Sequence, residues 1–125
     1  MEHSHQNDPY ATLLGITIKE ACFEKAVAEM DVQPQFCNVL GTVHGAVIFA
    51  LADSSFAAAC NSGTYKHIGL QTEIRYIGQA RSNKLIAQAE LVKASKKFAH
   101  YQVLVQDDLE NEIALFIGTA YNLGQ

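Results

Sequence analysis

The spacing of hydrophobic and polar residues changes along the chain and predicts one helix among strands. Over residues 16–32, small apolar residues alternate with charged ones, which is typical of a strand with one buried face. A Gln-Pro-Gln sequence at 33–35 then breaks the pattern. Residues 45–60 are rich in alanine and apolar in almost every direction, so they predict a buried helix about 24 Å long. An Asn-Ser-Gly sequence at 61–63 provides its stop signal.

The remainder of the chain predicts strands joined by short connections. A short helical turn is expected over residues 9–14, closed by Gly15. The segment 107–111 predicts a hairpin turn in which Asn111 takes the left-handed conformation. The predicted later strands span residues 66–78, 83–93, 98–107 and 112–122. One strand, one helix and a meander of further strands predict an α+β fold, in which an antiparallel β-sheet wraps around one long central α-helix.

The length of the chain allows one domain. Its 125 residues can form a single core, so residues 1–125 are expected to be one unit with residues 1–8 as a flexible tail. His3 and His5 form an H-x-H pattern that fits this tail better than a metal site, and no metal is expected. One sheet face leaves much of an apolar helix uncovered, so we expect the chain to dimerise.

Composition narrows the class of partner and the compartment. The net charge of −4 favours neither nucleic acid nor a membrane surface as the main partner. Six of the nine basic residues nevertheless fall between Arg75 and Lys97, which allows a local basic face for an anionic small molecule. The three cysteines lack metal-ligand spacing and cannot all pair within one chain, and no signal peptide is evident. These features predict a cytoplasmic protein.

A single acid in the predicted helix is the strongest candidate for chemistry. Asp53 lies within the apolar run and is the only Asp or Glu between Asp31 and Glu73. Burying an unpaired carboxylate costs several kcal/mol or raises its pKa, and no Lys or Arg lies within helical reach of Asp53. Because a polar, glycine-containing loop at 38–45 leads directly into the same helix, the acid and the loop together predict an active site.

Two short motifs resemble a known family. Asn38-x-x-Gly41-x-x-His44-Gly45-Ala46, followed by Leu51-Ala52-Asp53, resembles the N-x-x-G-x-x-H-G-G…L-A-D signature of hot-dog acyl-CoA thioesterases, most closely the phenylacetic acid degradation (PaaI-type) group. The resemblance implies the hot-dog fold for the whole chain. Two departures stand out: Ala46 replaces the second glycine, and the proline often found after the aromatic residue of the next strand is missing.

The resemblance also implies a reaction, namely hydrolysis of an aryl-acetyl or medium-chain acyl-CoA to the free acid and coenzyme A. Asp53 is then the general base or nucleophile, and the Gly45 N–H at the helix N-terminus is the oxyanion donor. Asn38 and His44 orient water, carbonyl or acid. A Ser or Thr that assists the acid in some members would fall near Gly69, where Gln71 and Thr72 are the polar neighbours.

The resemblance further implies a shared site and a substrate-binding surface. The acid of one subunit would lie opposite the helix start of its partner, giving a homodimer and then a dimer of dimers. Ala46 would contact the substrate, and Lys93, Lys96 and Lys97 would contact the phosphates of coenzyme A. No cofactor is expected, because coenzyme A is part of the substrate.

Each assignment has an alternative. Asp53 can be a structural carboxylate, His44 a helix cap, and Asn38 a loop-stabilising residue, while lysine clusters are usually solvated surface. Cys60 is a poor nucleophile candidate, because no histidine lies near it on the helix. The whole protein can also be a non-catalytic acyl-CoA binding or sensing module. A hot-dog dehydratase is disfavoured because its histidine signature is missing.

Overall fold

A computed structural model describes residues 8–124. In chain order its elements are α1 (Pro9–Leu14), β1 (Thr17–Cys22), β2 (Lys25–Asp31), a 3₁₀ turn (Pro34–Phe36), α2 (Gly45–Cys60), β3 (Lys66–Tyr76), β4 (Lys84–Ala94), β5 (Phe98–Asp107) and β6 (Glu112–Gly124). The predictions for His3, His5 and the first seven residues of the tail lie outside the described part. Asp8 is described, and its carboxylate caps α1 by accepting from the Tyr10 N–H at 3.0 Å.

The strands form one antiparallel sheet in the order β1-β2-β4-β5-β6-β3. Helix α2 lies against its inner face, with Leu51, Ala52, Ala58 and Ala59 fully buried. The α+β prediction of a sheet wrapped around one long helix is therefore confirmed. In the part of the chain that the structure describes, neither helix has the length and apolar character required to span a bilayer.

Two details of the strand prediction are wrong. Residues 16–32 form a hairpin rather than one strand, because the chain reverses at Phe23 and Glu24, and neither residue is a usual turn signal. The meander contains only β4, β5 and β6, since β3 crosses to the far edge of the sheet and pairs with β6. Such a pairing links segments far apart in sequence, so local periodicity does not reveal it.

The turn between β5 and β6 also differs from the prediction. Glu110, with a φ of 69°, takes the left-handed conformation that was assigned to Asn111. Asn111 is held instead by Asp107, whose carboxylate accepts its backbone N–H at 2.9 Å and its side-chain amide at 2.9 Å. These bonds hold Asn111 directly before β6, so the left-handed residue of the turn lies one position earlier than predicted.

Candidate active site

The loop before α2 is built around the side chain of Asn38. Its Oδ1 accepts the backbone N–H groups of Leu40 at 2.9 Å and Thr42 at 3.2 Å, and its Nδ2 donates to the Thr42 hydroxyl at 2.9 Å. Gly41 closes the turn with a φ of 85°, a conformation that glycine adopts without strain. In this structure Asn38 thus stabilises the loop. Its side chain lines neither the cavity that Asp53 faces nor the cavity at the start of α2.

The first turn of α2 presents a free backbone donor. His44 is the N-cap, and its Nδ1 accepts the Ala46 N–H at 3.2 Å, while its carbonyl accepts the N–H groups of Val47 and Ile48. No acceptor among residues 8–124 takes the Gly45 N–H. An unpaired N–H at the positive end of a helix dipole is suited to bind a developing negative charge.

Tyr76 at the end of β3 fixes this helix start, and sequence reasoning missed it. Its hydroxyl donates to the Gly45 carbonyl oxygen at 3.1 Å. A Cβ atom at residue 45 would lie 3.3 Å from the Tyr76 ring, so the glycine allows strand and helix to approach closely. The contact joins residues 31 positions apart, so local sequence pattern does not reveal it. The one signal in the sequence is an aromatic residue near the end of a predicted strand.

Asp53 faces a cavity of about 410 Å³ between α2 and β3, which we call the Asp53 cavity. The side chain is half-buried and forms no ion pair within residues 8–124. Burial, with a smaller contribution from the charge of Asp8, raises the pKa of Asp53 above its ordinary value of 3.8, as the sequence predicted. The cavity is lined by Phe49, Phe56 and Ala57 of the helix and by residues 67–72 of the strand.

The position expected for the family's assisting Ser or Thr lines this cavity, as do its two polar neighbours. Gly69, Gln71 and Thr72 are all part of its wall. Sequence reasoning missed Asn61 and His67, which line the same cavity and are joined by a 2.7 Å bond from the His67 N–H to the Asn61 side-chain oxygen. Asn61 was interpreted only as part of the helix stop.

The helix start belongs to a different cavity. This helix-start cavity has a volume of about 530 Å³ and is lined by Gly41, Gly45, Tyr76 and Arg81, among others. It shares no lining residue with the Asp53 cavity. Residues 45 and 53 are also about 12 Å apart along the helix axis. One chain therefore does not bring Asp53 and the Gly45 N–H to the same point.

Cys60 lines the Asp53 cavity but is a poor nucleophile. Burial, with a contribution from the nearby charge of Asp53, raises the pKa of its thiol to about 12. The thiolate needed for nucleophilic attack is therefore almost absent at neutral pH.

The three candidate lysines do not form one group. Lys96 and Lys97 line a cavity of about 750 Å³ together with Phe23, Tyr65 and Tyr121, which we call the lysine cavity. Lys93 is exposed on β4 and does not line it. His67 lines both the lysine cavity and the Asp53 cavity, so the two lie side by side. Among the described residues, no group of three His, Cys, Asp or Glu side chains is arranged to hold a metal ion.

Comparisons with known proteins agree with this fold. Acyl-coenzyme A thioesterase PaaI of Escherichia coli is 30% identical over 121 residues, which cover 96% of this chain and 86% of that protein. The structure of Escherichia coli PaaI superposes with a TM-score of 0.89 at 29% identity, covering 96% of this chain and 88% of that one. The TT0310 protein of Thermus thermophilus superposes with a TM-score of 0.86 at 32% identity, covering 94% of this chain and 99% of that one.

A family model described as the thioesterase superfamily matches residues 40–114, which is more than half of the chain. The matched segment contains the helix start, Asp53 and the whole of β3. The chain therefore belongs to the thioesterase superfamily and has its hot-dog fold.

Proposed function

We propose that this protein hydrolyses an acyl-CoA thioester to the free acid and coenzyme A, with Asp53 as general base or nucleophile. The observation that carries the proposal is a half-buried carboxylate with a raised pKa, facing a cavity that no Lys or Arg among residues 8–124 enters. A carboxylate in such surroundings is a stronger base than one in water. Its position in a thioesterase-superfamily chain supports this use of it.

Two routes lead from the carboxylate to the same products. As a base, Asp53 takes a proton from water, and the hydroxide attacks the thioester carbon to give a tetrahedral oxyanion. As a nucleophile, the carboxylate attacks that carbon itself and gives a mixed anhydride, which water then hydrolyses. In both routes the C–S bond breaks and the coenzyme A thiolate leaves and is protonated.

The Gly45 N–H is the proposed donor to the oxyanion. It is the one backbone N–H of the first helical turn that finds no acceptor within the described residues. One well-aimed donor of this kind stabilises a transition state by about 3 kcal/mol. His44 contributes by capping the helix, and Ala46, directly after Gly45, is the proposed substrate contact at this end.

The separation of Asp53 from Gly45 supports a homodimer with shared sites. Asp53 of one subunit would act with the helix start of the other, so that each of two equivalent sites uses both chains. A further pairing of dimers remains part of the proposal. A stable monomer with full activity would exclude this arrangement.

The cavities suggest where the substrate lies. Phe49 and Phe56 line the Asp53 cavity and favour an apolar or aromatic acyl group, such as aryl-acetyl or medium-chain acyl. Lys96 and Lys97 line the adjoining lysine cavity and would contact phosphates of coenzyme A. Lys93 lies outside that cavity, so no cavity supports the contact with the phosphates that was predicted for it.

The test is release of free thiol from a series of acyl-CoAs that includes phenylacetyl-CoA and octanoyl-CoA. Asp53→Asn should lower kcat by about 100-fold or more, since a positioned base contributes this much. Ser54→Ala is the matched control, because Ser54 is the next residue of the helix and does not line the Asp53 cavity. Equal turnover by the wild type and Asp53→Asn would remove Asp53 from the mechanism. Binding without turnover across the series would instead indicate a sensing module.

A further inference from the structure

His67, the second residue of β3, stands where three cavities meet. It lines the Asp53 cavity, the lysine cavity and a third cavity of about 490 Å³, which is formed by residues 63–68 together with Asn61 and Leu123. Among residues 8–124, His67 is the only residue that lines both the Asp53 cavity and the lysine cavity. A molecule that occupies these two cavities at once therefore has to run past His67.

Contacts from the helix and from the β1–β2 turn fix the position of His67. Its backbone N–H donates to the side-chain oxygen of Asn61 at 2.7 Å, and the Asn61 amide donates to the Ala57 carbonyl oxygen at 3.2 Å. These two bonds tie the start of β3 to the last turn of α2. The centroid of the His67 ring lies 5.7 Å from that of the Phe23 ring. The imidazole is therefore held at the junction of the cavities before any ligand binds.

One ring nitrogen of His67 is left free by these contacts. Nδ1 lies 3.3 Å from the carbonyl oxygen of Tyr65, and because a carbonyl oxygen can only accept, this bond requires a proton on Nδ1. Nε2 has no hydrogen-bond partner among residues 8–124. In the neutral ring with its proton on Nδ1, Nε2 is an acceptor. The half-buried His67 thus offers an acceptor to an N–H group of a ligand in the cavities.

The neighbouring polar side chain at this junction is already engaged within the chain. The two amide hydrogens of Asn61 point to the Ala57 carbonyl oxygen and to the Cys60 sulfur at 3.7 Å, and its side-chain oxygen accepts the His67 N–H. A ligand that bonded to the Asn61 amide would have to break one of these contacts. Nε2 of His67 is available without such a loss.

We propose that His67 binds the pantetheine arm of coenzyme A, with Nε2 accepting an amide N–H of that arm, and that this contact selects coenzyme A thioesters over thioesters of simple thiols. The proposal rests on the proposed function, which places the thioester at Asp53 and the phosphates at Lys96 and Lys97. The arm between the thioester sulfur and the phosphates carries two amide groups, each with one N–H donor. Because this arm has to connect the two cavities, it has to cross the one residue that they share.

Shortening the substrate shows which part of it contacts His67. The phenylacetyl thioesters of coenzyme A, pantetheine and ethanethiol have the same acyl group, but the second lacks the nucleotide and the third also lacks both amides. His67→Phe keeps a ring against Phe23 and removes the acceptor. It should raise KM about fivefold for the coenzyme A and pantetheine thioesters, the effect of one hydrogen bond, and leave KM for the ethanethiol thioester unchanged.

Three further variants make the comparison specific. His67→Gln places an amide oxygen near the position of Nε2 and should recover part of the lost affinity. K96A/K97A should raise KM for the coenzyme A thioester alone, because pantetheine carries no phosphate. His100→Phe is the matched control, because the His100 ring bonds to the Thr119 hydroxyl at 2.9 Å and His100 lines none of the three cavities. It should leave KM unchanged for all three substrates.

The pattern across the three substrates decides the proposal. Unchanged KM for all three thioesters in His67→Phe would overturn it, and so would an equal increase for all three, because the effect would then not involve the arm. An increase confined to the coenzyme A thioester would place His67 beside the phosphates and would also overturn the contact with the arm.

Calorimetric binding of free coenzyme A and of pantetheine separates this inference from the proposed function, since neither ligand is hydrolysed. If His67→Phe weakens both affinities about fivefold while the wild type releases no thiol from any acyl-CoA, the contact with the arm stands and the proposed function fails. If Asp53→Asn abolishes thiol release but His67→Phe leaves both affinities unchanged, the proposed function stands and the contact with the arm fails.

Discussion

The hydroxyl of Tyr76 donates a hydrogen bond to the carbonyl oxygen of Gly45 over 3.1 Å, and its ring covers the place where a side chain of residue 45 would stand. This relationship ties the end of β3 to the first residue of α2. The free N–H that we assign to the oxyanion belongs to the same glycine. Its position therefore depends on a residue that contributes no group to the reaction.

Tyr76→Phe should lower kcat/KM about fivefold, which corresponds to one hydrogen bond of about 1 kcal/mol. The ring remains, so the packing against Gly45 is kept and only the bond to the carbonyl is lost. Thiol release at saturating and subsaturating acyl-CoA measures the effect. Tyr10→Phe is the control, because Tyr10 has similar exposure on α1. Unchanged kcat/KM with lower stability would restrict Tyr76 to a structural role.

Asp53 should set the acid limit of activity, meaning the pH below which turnover is lost. This limit should lie at a higher pH than an ordinary aspartate would give. Burial raises the pKa of this carboxyl above 3.8, and only the ionised form can act as base or nucleophile. Activity should therefore fall as pH drops through this raised pKa. Asp8→Asn preserves the helix cap but removes the second cause of the shift, so it should move the limit to lower pH. A pH profile of kcat/KM that is identical in both proteins would exclude this effect of Asp8.

The same carboxylate should destabilise the fold at neutral pH. Because the folded pKa lies above the unfolded one, the folded state binds more protons between the two values, and stability decreases as pH rises through them. Asp53→Asn should therefore unfold at higher urea concentration than the wild type at pH 7, and the difference should shrink toward pH 3. A variant that is less stable at pH 7 would show that the carboxylate has a stabilising partner.

The sequence predicted the parts of this molecule in which local pattern and tertiary contacts agree. Helix α2 is a long alanine-rich apolar run, and the later strands follow turn signals and alternating residues. The predicted bounds of α2 and of β4 to β6 lie within two residues of the observed ones. The hairpin at 16–32 was missed because Phe23 and Glu24 carry no turn signal. The position of β3 was missed because its paired residues on β6 lie 38 to 58 positions further along the chain, a separation that strand periodicity does not encode.

The residues of the candidate site also fall into two groups, those that local sequence pattern revealed and those that depend on tertiary contacts. Asp53 and the helix start could be found because an acid in an apolar run and a glycine before a helix are unusual as local patterns. Tyr76, Asn61 and His67 could not be assigned, because their roles arise from contacts between the helix and β3.

Asp107 should stabilise the fold at neutral pH and lose this effect in acid. Burial alone would raise its pKa, but bonds from the side chain of Asn111 and from the backbone N–H groups of Arg81, Asn111 and Leu109 hold the pKa at about 2. A lowered folded pKa stabilises above the unfolded value, and this stabilisation is lost as pH falls from about 4 toward 2.

Asp107→Asn should therefore cost about 2 kcal/mol of unfolding free energy at pH 7, since one amide oxygen cannot accept all four N–H groups. The difference from the wild type should narrow below pH 3. Urea unfolding at both pH values checks this, with the exposed neighbour Asp108→Asn as control. Because Asp107 holds the backbone of Arg81, which lines the helix-start cavity, kcat/KM should also fall. Equal stability of Asp107→Asn and the wild type at pH 7 would contradict the prediction.

Two glycines that face Phe56 from the sheet should respond differently to the same substitution. A Cβ atom at Gly118 would lie 2.8 Å from the Phe56 ring, which is 1% exposed and has little room to move. At Gly69 the closest Phe56 atom would be 3.5 Å away, an ordinary contact. Gly118→Ala should destabilise the protein by about 1–3 kcal/mol through overpacking. Gly69→Ala should be neutral or slightly stabilising, because alanine restricts the unfolded chain.

Phe56 also lines the Asp53 cavity, so displacing its ring should change the cavity that we assign to the acyl group. Gly118→Ala should therefore raise KM more for phenylacetyl-CoA than for acetyl-CoA, whereas Gly69→Ala adds only a methyl group to the cavity wall. Urea unfolding and steady-state thiol release on both variants measure the two effects. If both alanine variants were equally stable, Phe56 would have to move aside at no cost. That result would contradict a close-packed interface between helix and sheet at this point.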